Sequence, residues 1–499
     1  MNPLQLPQIG HWIDGAVVNG PEGTAPVFNP ATGEQTAVVA LASVADVDRA
    51  VSVAATAFLG WRTTPLSARA EMLFRFREHL DANRKELASA LTAEHGKVIA
   101  DALGEVARGI ENVEFACGIP NLLKGEFSEQ AAHGVDVFSM RQPLGVVAGI
   151  TPFNFPAMAP LWMLANAIAC GHTFVLKPSE KVPTASLIIA DLVKRSGIPD
   201  GVFNVVQGDA VAVNRILEHR DIAAVSFVGS TPVARHVYET GTRHNKRVQA
   251  LGGAKNHMVV LPDADIDMAA DAAISAGFGA AGQRCMAISV VVAVGSVGDE
   301  LVAAIADRIP KVTVGPGDEP TSEMGPLSTR ELRDRSADYV AGATDEGATV
   351  VVDGRASATD DAGFFIGCSV VDHVQPGMRL YDDEIFGPVL AVVRVDTYDD
   401  ALRLVNDSPY GNGVAIFTRD GGAARRFQSE VQVGMVGVNV PIPVPVSYYS
   451  FGGWKNSLFG DTHMYGPEGI HFYTRGKVVT ARWPDPASSQ IDLGFPQSR

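Results

Sequence analysis

The chain has 499 residues, 46% of them apolar, with 40 basic against 56 acidic side chains and a formal net charge of −16. A chain of this size buries a large core and divides into two or three domains, which excludes a disordered protein, and the acidic balance argues against nucleic acid or an anionic membrane as a partner. Four scattered cysteines, Cys117, Cys170, Cys285 and Cys368, show no Cys-x-x-Cys or Cys/His spacing, so no disulfide framework and no metal site is expected and a reducing, cytoplasmic setting fits.

Met1 to Gly15 carries no basic segment followed by an apolar run, and no stretch approaches the ~20 apolar residues of a membrane span, so a soluble, unexported protein is expected. Residues 8–40 alternate in short segments broken by Asp14-Gly15, Asn19-Gly20-Pro21, Asn29-Pro30 and Thr32-Gly33, which predicts a β-hairpin layer. Helical periodicity then runs through 44–59, 66–82, 84–94 and 98–123. Arg108 and Glu111 stand in the last of these, and alone Arg108 reads as a solvated helix charge. A strand-like piece at 134–143 has a counterpart at 471–481; two such β-prone arms predict pairing with each other and with another subunit, hence a homo-oligomer.

From Gly145 to Gly253 strands (146–150, 172–176, 202–206, 223–228, 247–250) alternate with helices (156–169, 184–196, 209–219, 231–242). That order predicts a parallel, doubly wound sheet with its ligand at the carboxyl ends of the strands. Two turns fall there. In Phe227-Val228-Gly229-Ser230-Thr231-Pro232 a strand enters a helix with a Ser or Thr cap and an early Pro, leaving amides pointed at an anion such as a pyrophosphate. In Leu176-Lys177-Pro178-Ser179-Glu180, Lys177 and Glu180 are placed to bond ribose hydroxyls, and the carboxylate disfavours a 2′-phosphate, pointing to NAD rather than NADP. Each turn also reads plainly, as a capped βα turn and a pair of surface charges. A second alternating α/β region follows Gly253, with strands near 258–261, 288–294, 350–352, 364–371, 388–395, 414–417 and 434–439.

Gly277-Phe278-Gly279-Ala280-Ala281-Gly282 spells a dinucleotide fingerprint, but it lies within a helix-like run (267–282), and the residues before it (266–275) look helical where a strand is required. Those glycines are expected to pack closely behind Gly282-Gln283-Arg284-Cys285-Met286-Ala287. Cys285 is an inert buried thiol or a nucleophile; Arg284 beside it favours the thiolate, and so a cysteine enzyme attacking a carbonyl.

Six motifs in order, Thr151-Pro152-Phe153-Asn154-Phe155-Pro156, Lys177-Pro178-Ser179-Glu180, Phe227-Val228-Gly229-Ser230, Leu251-Gly252-Gly253-Ala254-Lys255, the Cys285 segment and Glu384-Ile385-Phe386-Gly387-Pro388, resemble the aldehyde dehydrogenase superfamily along nearly the whole chain. Val248-Gln249-Ala250, Gly253 to His257, the Cys285 segment and Val438 to Pro445 resemble, more narrowly, its CoA-acylating methylmalonate-semialdehyde dehydrogenases. The resemblance implies an α/β fold of two doubly wound parallel-sheet domains plus a small β oligomerisation domain: 1–124 and 144–252 for NAD, 253–445 for catalysis, and arms at 125–143 and 468–485, in a homotetramer. It implies Cys285 as nucleophile and the Asn154 amide as oxyanion donor with the Cys285 N–H. Thr151, Phe153, Lys177, Glu180, Gly229, Ser230 and Glu384 would contact NAD, and Arg108 and Arg284 the substrate carboxylate.

Hydrolytic relatives carry a water-activating glutamate four residues before the motif lysine; here that position is Leu251. Leucine accepts no proton, so an acyl group on Cys285 should await a better nucleophile than water, such as the thiol of CoA. The expectation is oxidation of methylmalonate or malonate semialdehyde, with decarboxylation, to propionyl-CoA or acetyl-CoA. A hydrolytic dehydrogenase using another base, Glu384 first, and a catalytically silent structural relative are the alternatives.

Overall fold

The computed structural model describes residues 6–20, 23–357, 362–483, 487 and 491. The turn residue Pro21 and the last two positions of the 468–485 arm lie outside them.

The first sheet has eight strands, in the order Leu458–Phe459, Arg247–Leu251, Ile222–Val228, Val146–Ile150, Thr173–Lys177, Phe203–Val205, His11–Ile13 and Ala16–Val18. Its run from Arg247–Leu251 to Phe203–Val205 is parallel, and antiparallel strands flank it. Val146–Ile150 and Thr173–Lys177 are buried at every position because helices cover both faces, which is why they read as unbroken apolar runs. Helix Met158–Ala169 is also buried throughout and packs against helix Ile99–Cys117.

The second sheet has seven strands, in the order Thr349–Val352, Ser369–Asp372, Val389–Val395, Ile288–Val294, Asn256–Val260, Gly413–Phe417 and Met435–Val438, parallel except for Thr349–Val352. The third is small. Thr474–Arg482 pairs antiparallel with Val135–Pro143 from Thr474↔Pro143 to Arg482↔Val135, and Phe127–Ala132 completes it.

Most expected elements sit within a residue or two of their expected ends, the usual fraying of boundaries. Four differ for physical reasons. The hairpin around Asp14-Gly15 does not stay in a layer of residues 8–40 but joins the edge of the first sheet, while Gln8–Ile9, Thr24–Phe28 and Gln35–Ala40 form a sheet of their own. The helix expected over 98–123 breaks at Gly118, with Pro120 opening a short second helix. The arm at 471–481 begins as helix Gly466–Phe472, so His471 is helical and the strand starts at Thr474. Only Ser369–Asp372 of the 364–371 run is a strand.

Candidate active site

The first sheet meets the site with the carboxyl ends of its strands. Val146–Ile150 leads to Thr151–Asn154, Ile222–Val228 to Gly229 and Ser230, and Arg247–Leu251 to Gly252 and Gly253. The second sheet meets it with the amino ends, where Asn256–Val260 and Ile288–Val294 begin. Between them lies a cavity of about 550 Å³ lined by Phe153, Asn154, Gly229, Ser230, Cys285 and Glu384, with Lys181, Thr231, Arg335, Tyr410 and others. Its size is that of a small-molecule or cofactor site.

Helix Ile266–Phe278 stops four residues earlier than its composition suggests. Ala280 and Ala281 then take left-handed conformations (φ 50° and 53°) and Gly282 follows at φ 72°. Left-handed backbone strains the two alanines, whose Cβ atoms crowd the carbonyls. At Gly282 only glycine fits, since a Cβ there would lie 2.3 Å from the Gly387 carbonyl oxygen. The glycines therefore pack closely behind the cysteine, as expected. Downstream, Asn256 Nδ2 and Asn412 Nδ2 both donate to the Cys285 carbonyl (2.9 and 3.0 Å), fixing the peptide after the sulfur.

Cys285 is half-buried and reaches the main cavity, unlike Cys117, Cys170 and Cys368, which are buried. Burial pushes its thiol up to about 12, and the nearby Glu384 carboxyl adds to this; the backbone amides of Cys285 and Met286 and the Arg284 guanidinium work in the opposite direction. Arg284 thus favours the thiolate in the expected direction, but its pull is the smallest of these and its charge is already matched by Asp101 at 2.6 Å. Arg108 is engaged as well, by Glu111 and the Pro445 carbonyl oxygen, each at 2.6 Å. The Tyr465 hydroxyl donates to the same carbonyl (3.1 Å), and Tyr465 lies within electrostatic reach of both Arg108 and Cys285. A smaller cavity beside the sulfur is walled by Asn154, Phe155, Trp162, Leu251, Asn412 and Phe451. Trp162 packs on Phe451 and Tyr465 with ring centroids 5.2 and 5.0 Å away.

Asn154 is buried, and its Nδ2 donates one hydrogen to the Gln283 carbonyl at 3.0 Å; the amide has a second hydrogen to give, and Asn154 lines both cavities together with Cys285. Leu251 is buried and apolar where the water-activating carboxylate would stand. Glu384 accepts from the Ala254 amide (3.0 Å), and burial pushes its carboxyl up to about 7 against the pull of that amide and of Lys255.

The expected nucleotide contacts gather at the first sheet's carboxyl ends. Helix Thr231–Arg243 opens at Ser230, whose hydroxyl makes no capping bond, and Thr231 Oγ1 instead accepts from the Gly253 amide at 2.9 Å. The buried Thr151 Oγ1 has no hydrogen-bond partner among the described residues. Lys177 and Glu180 pair at 3.2 Å beside it, since the Thr151 amide donates to the Lys177 carbonyl. Phe153 stacks on His95 and meets Phe386 edge-on. An uncapped helix N-terminus, an orphaned hydroxyl and a cavity running on to Cys285 fit a dinucleotide. Lys181, which sits over the Phe153 ring and lines the cavity, was missed in the sequence, as were Trp162, Phe451 and Tyr465. Their signal, aromatic and cationic residues in otherwise ordinary stretches, is visible only once the fold brings them together.

The family model for the aldehyde dehydrogenase family matches residues 17–479. The chain belongs to the aldehyde dehydrogenase family. Among the relatives, the malonate-semialdehyde dehydrogenase of Pseudomonas aeruginosa is 52% identical over 490 residues, covering 97% of this chain and 99% of that one. A provisionally named methylmalonate-semialdehyde dehydrogenase from Sinorhizobium meliloti 1021, solved with NAD, superposes with a TM-score of 0.96 at 50% identity, covering 98% of this chain and all of that one. The methylmalonate-semialdehyde dehydrogenase of Oceanimonas doudoroffii gives 0.95 at 52% identity over 97% and 99% of the two chains. In this aldehyde dehydrogenase, no group of three or more His, Cys, Asp or Glu side chains is arranged to hold a metal ion among the described residues. No helix among them is long and apolar enough to cross a membrane.

Proposed function

We propose that this aldehyde dehydrogenase oxidises malonate or methylmalonate semialdehyde and passes the resulting acyl group from Cys285 to CoA, releasing carbon dioxide. The observation that carries the second half is Leu251, an apolar wall beside the sulfur where a hydrolytic site needs a base.

Cys285 gives up its proton to water in the cavity, its Sγ adds to the aldehyde carbon, and the π pair of the carbonyl moves onto oxygen, which gains negative charge. The second hydrogen of the Asn154 amide and the Cys285 N–H are the donors placed to hold that charge. Thr151, Phe153, Gly229, Ser230 and Glu384, with the Lys177–Glu180 pair, would hold NAD, which when bound supplies the acceptor for the aldehyde hydride. What remains on Cys285 is a β-carboxy thioester. Its carbonyl takes up the electron pair released as the carboxylate leaves as carbon dioxide, and the α-carbon of the resulting enolate takes a proton from water, so decarboxylation needs no metal. Before or after that loss, the thiol of CoA, more nucleophilic than unactivated water, attacks the thioester and frees Cys285.

Arg108 and Arg284 would receive the substrate carboxylate by exchanging it for Glu111 and Asp101. The protein residues 1–124 and 144–252 form the cofactor domain, 253–445 the catalytic domain, and the small sheet joins subunits of a cytoplasmic homotetramer, in keeping with the four free cysteines. Product analysis tests the reading. Acetyl-CoA or propionyl-CoA should form in step with NADH, and free acid released equally fast without CoA would overturn it. That second outcome is the hydrolytic reading, which one observation favours: the Glu384 carboxyl, near 7, is tuned as a general base would be. Glu384→Gln separates the two, because only a hydrolytic enzyme would then lose acyl-enzyme breakdown selectively.

A further inference from the structure

Two loops must stand in register for the chemistry: the one carrying Asn154, from the first sheet, and the one carrying Cys285, entering the second. A single stretch of chain, Lys97 to Glu105, grips both. Gly96, at φ 91°, ends helix Arg84–His95 and turns the chain, and Lys97 lies just ahead of helix Ile99–Cys117 with Asp101 and Glu105 following at intervals of four. Within the helix that spacing puts Asp101 and Glu105 on one face, and Lys97, ahead of it, joins them by its ion pair to Glu105.

Lys97 and Glu105 form an ion pair at 2.6 Å with both side chains 1% exposed. The same Lys97 ammonium donates to the Asn154 carbonyl oxygen at 2.6 Å and sits 4.7 Å from the centre of the Phe155 ring. The other Glu105 oxygen accepts from the Ala157 and Met158 amides, at 2.9 and 3.1 Å, where the loop becomes helix Met158–Ala169. The loop from Asn154 to Met158 is therefore held at both ends by one buried pair. Asp101 grips the other loop. One of its oxygens accepts from the Ala280 amide at 3.0 Å, within the left-handed segment, and the other from Arg284 at 2.6 Å. The two loops also touch directly, through Asn154 Nδ2 and the Gln283 carbonyl.

Burying an ion pair is costly, and apolar residues of similar volume would serve stability as well or better. Its hydrogen bonds run not into the core at large but to the backbone of the loop that carries the oxyanion donor, at Asn154, Ala157 and Met158. We propose that Lys97, Asp101 and Glu105 are positioning residues that set the Asn154 amide against Cys285 Sγ, a function that rests on the roles given above to those two residues.

The test is a thermodynamic cycle on the first-turnover NADH burst. Lys97→Met with Glu105→Gln removes the ammonium while keeping volume, charge balance and the acceptor for the Ala157 and Met158 amides. In the wild-type background it should slow the burst roughly 10- to 100-fold while KM and NAD affinity change less than about twofold, since a misplacement near 1 Å costs about that much in rate. In the Asn154→Ala background the same pair should cost less than about threefold, because the residue it positions is gone. An equal loss in both backgrounds, or no loss in either, would overturn the proposal. If Asn154→Ala itself leaves the burst intact, the oxyanion assignment fails first, and the positioning role with it. Should the double variant not fold, Asp101→Asn, at a partly exposed side chain, enters the same cycle with the same two outcomes for the burst rate at saturating aldehyde, its KM being free to shift because Asp101 also pairs with Arg284.

Discussion

The two large sheets serve one cavity in opposite ways. The first offers the carboxyl ends of its strands, where turns such as Val228-Gly229-Ser230 open directly into helices and leave amides and hydroxyls free without further support. The second offers the amino ends, where no such free donors arise, and the Cys285 loop is shaped instead by a left-handed turn and by side chains reaching in from elsewhere: Asp101, Asn256, Asn412 and Ser328, whose hydroxyl and amide both bind Gln283. Cofactor sites come almost ready-made from the topology. A nucleophile at the wrong end of a sheet has to be held there.

Substitutions at the second sheet's edge should therefore cost chemistry, and those at the first should cost binding. Cys285→Ala should abolish NADH formation on every aldehyde, read by absorbance, and retained turnover would remove the covalent scheme. Asn154→Ala, which stands on the border between the sheets, should slow the NADH burst by ~10²–10³ with little change in KM. Leu251→Glu should redirect product rather than rate, with free acid appearing when CoA is withheld; unchanged product ratios would show that the missing base is not what spares the thioester.

Glu384 joins the two edges and gives the comparison a pH dependence. Its carboxyl titrates near 7 in the folded chain against 4.5 for the ordinary group, so between those values the folded state keeps a proton the unfolded state has lost. Raising pH through that window should lower the thermal stability of the ligand-free protein, and Glu384→Gln should remove that part of the slope. Ribose hydroxyls would favour the charged carboxylate, so NAD binding should release a proton near pH 7, measurable by calorimetry in buffers of different ionisation heat and lost in the same variant. Because the Glu384 charge also holds the Cys285 proton on, Glu384→Gln should speed iodoacetamide labelling above pH 7. The smallest effect is expected at Ala280→Gly, which relieves a left-handed alanine and should raise stability by up to about 1 kcal/mol while loosening the nucleophile's loop.

The first sheet was far easier to foresee than the second sheet's edge. Unbroken apolar strands alternating with amphipathic helices announce a doubly wound sheet, and its turns name their own ligands. Leu251 was equally plain, being a fixed distance from Lys255. By contrast, Ala280 and Ala281 have the highest helix propensity of any residue type, and nothing local foretells that tertiary contacts hold them left-handed. Nothing local foretells the burial of Lys97 and Glu105 either; around Lys97 it depends on Gly317 and Gly325, where a Cβ would collide with the Gly96 and Lys97 backbone. Arg284 illustrates the same limit, since its neighbour in sequence is the nucleophile but its partner in space is Asp101.

The small sheet carries a consequence for biosynthesis. Arg141 and Thr474, joined by a hydrogen bond between their side chains, are 333 residues apart in sequence, and the nine-residue ladder around them cannot form until almost the entire polypeptide has left the ribosome. Throughout that interval Val135–Pro143 has an open edge able to recruit any extended segment nearby. Closing so long a loop is slow. Refolding yield should accordingly fall as concentration rises, the more so because Thr474–Arg482, once paired, is itself an edge strand of the three-stranded sheet.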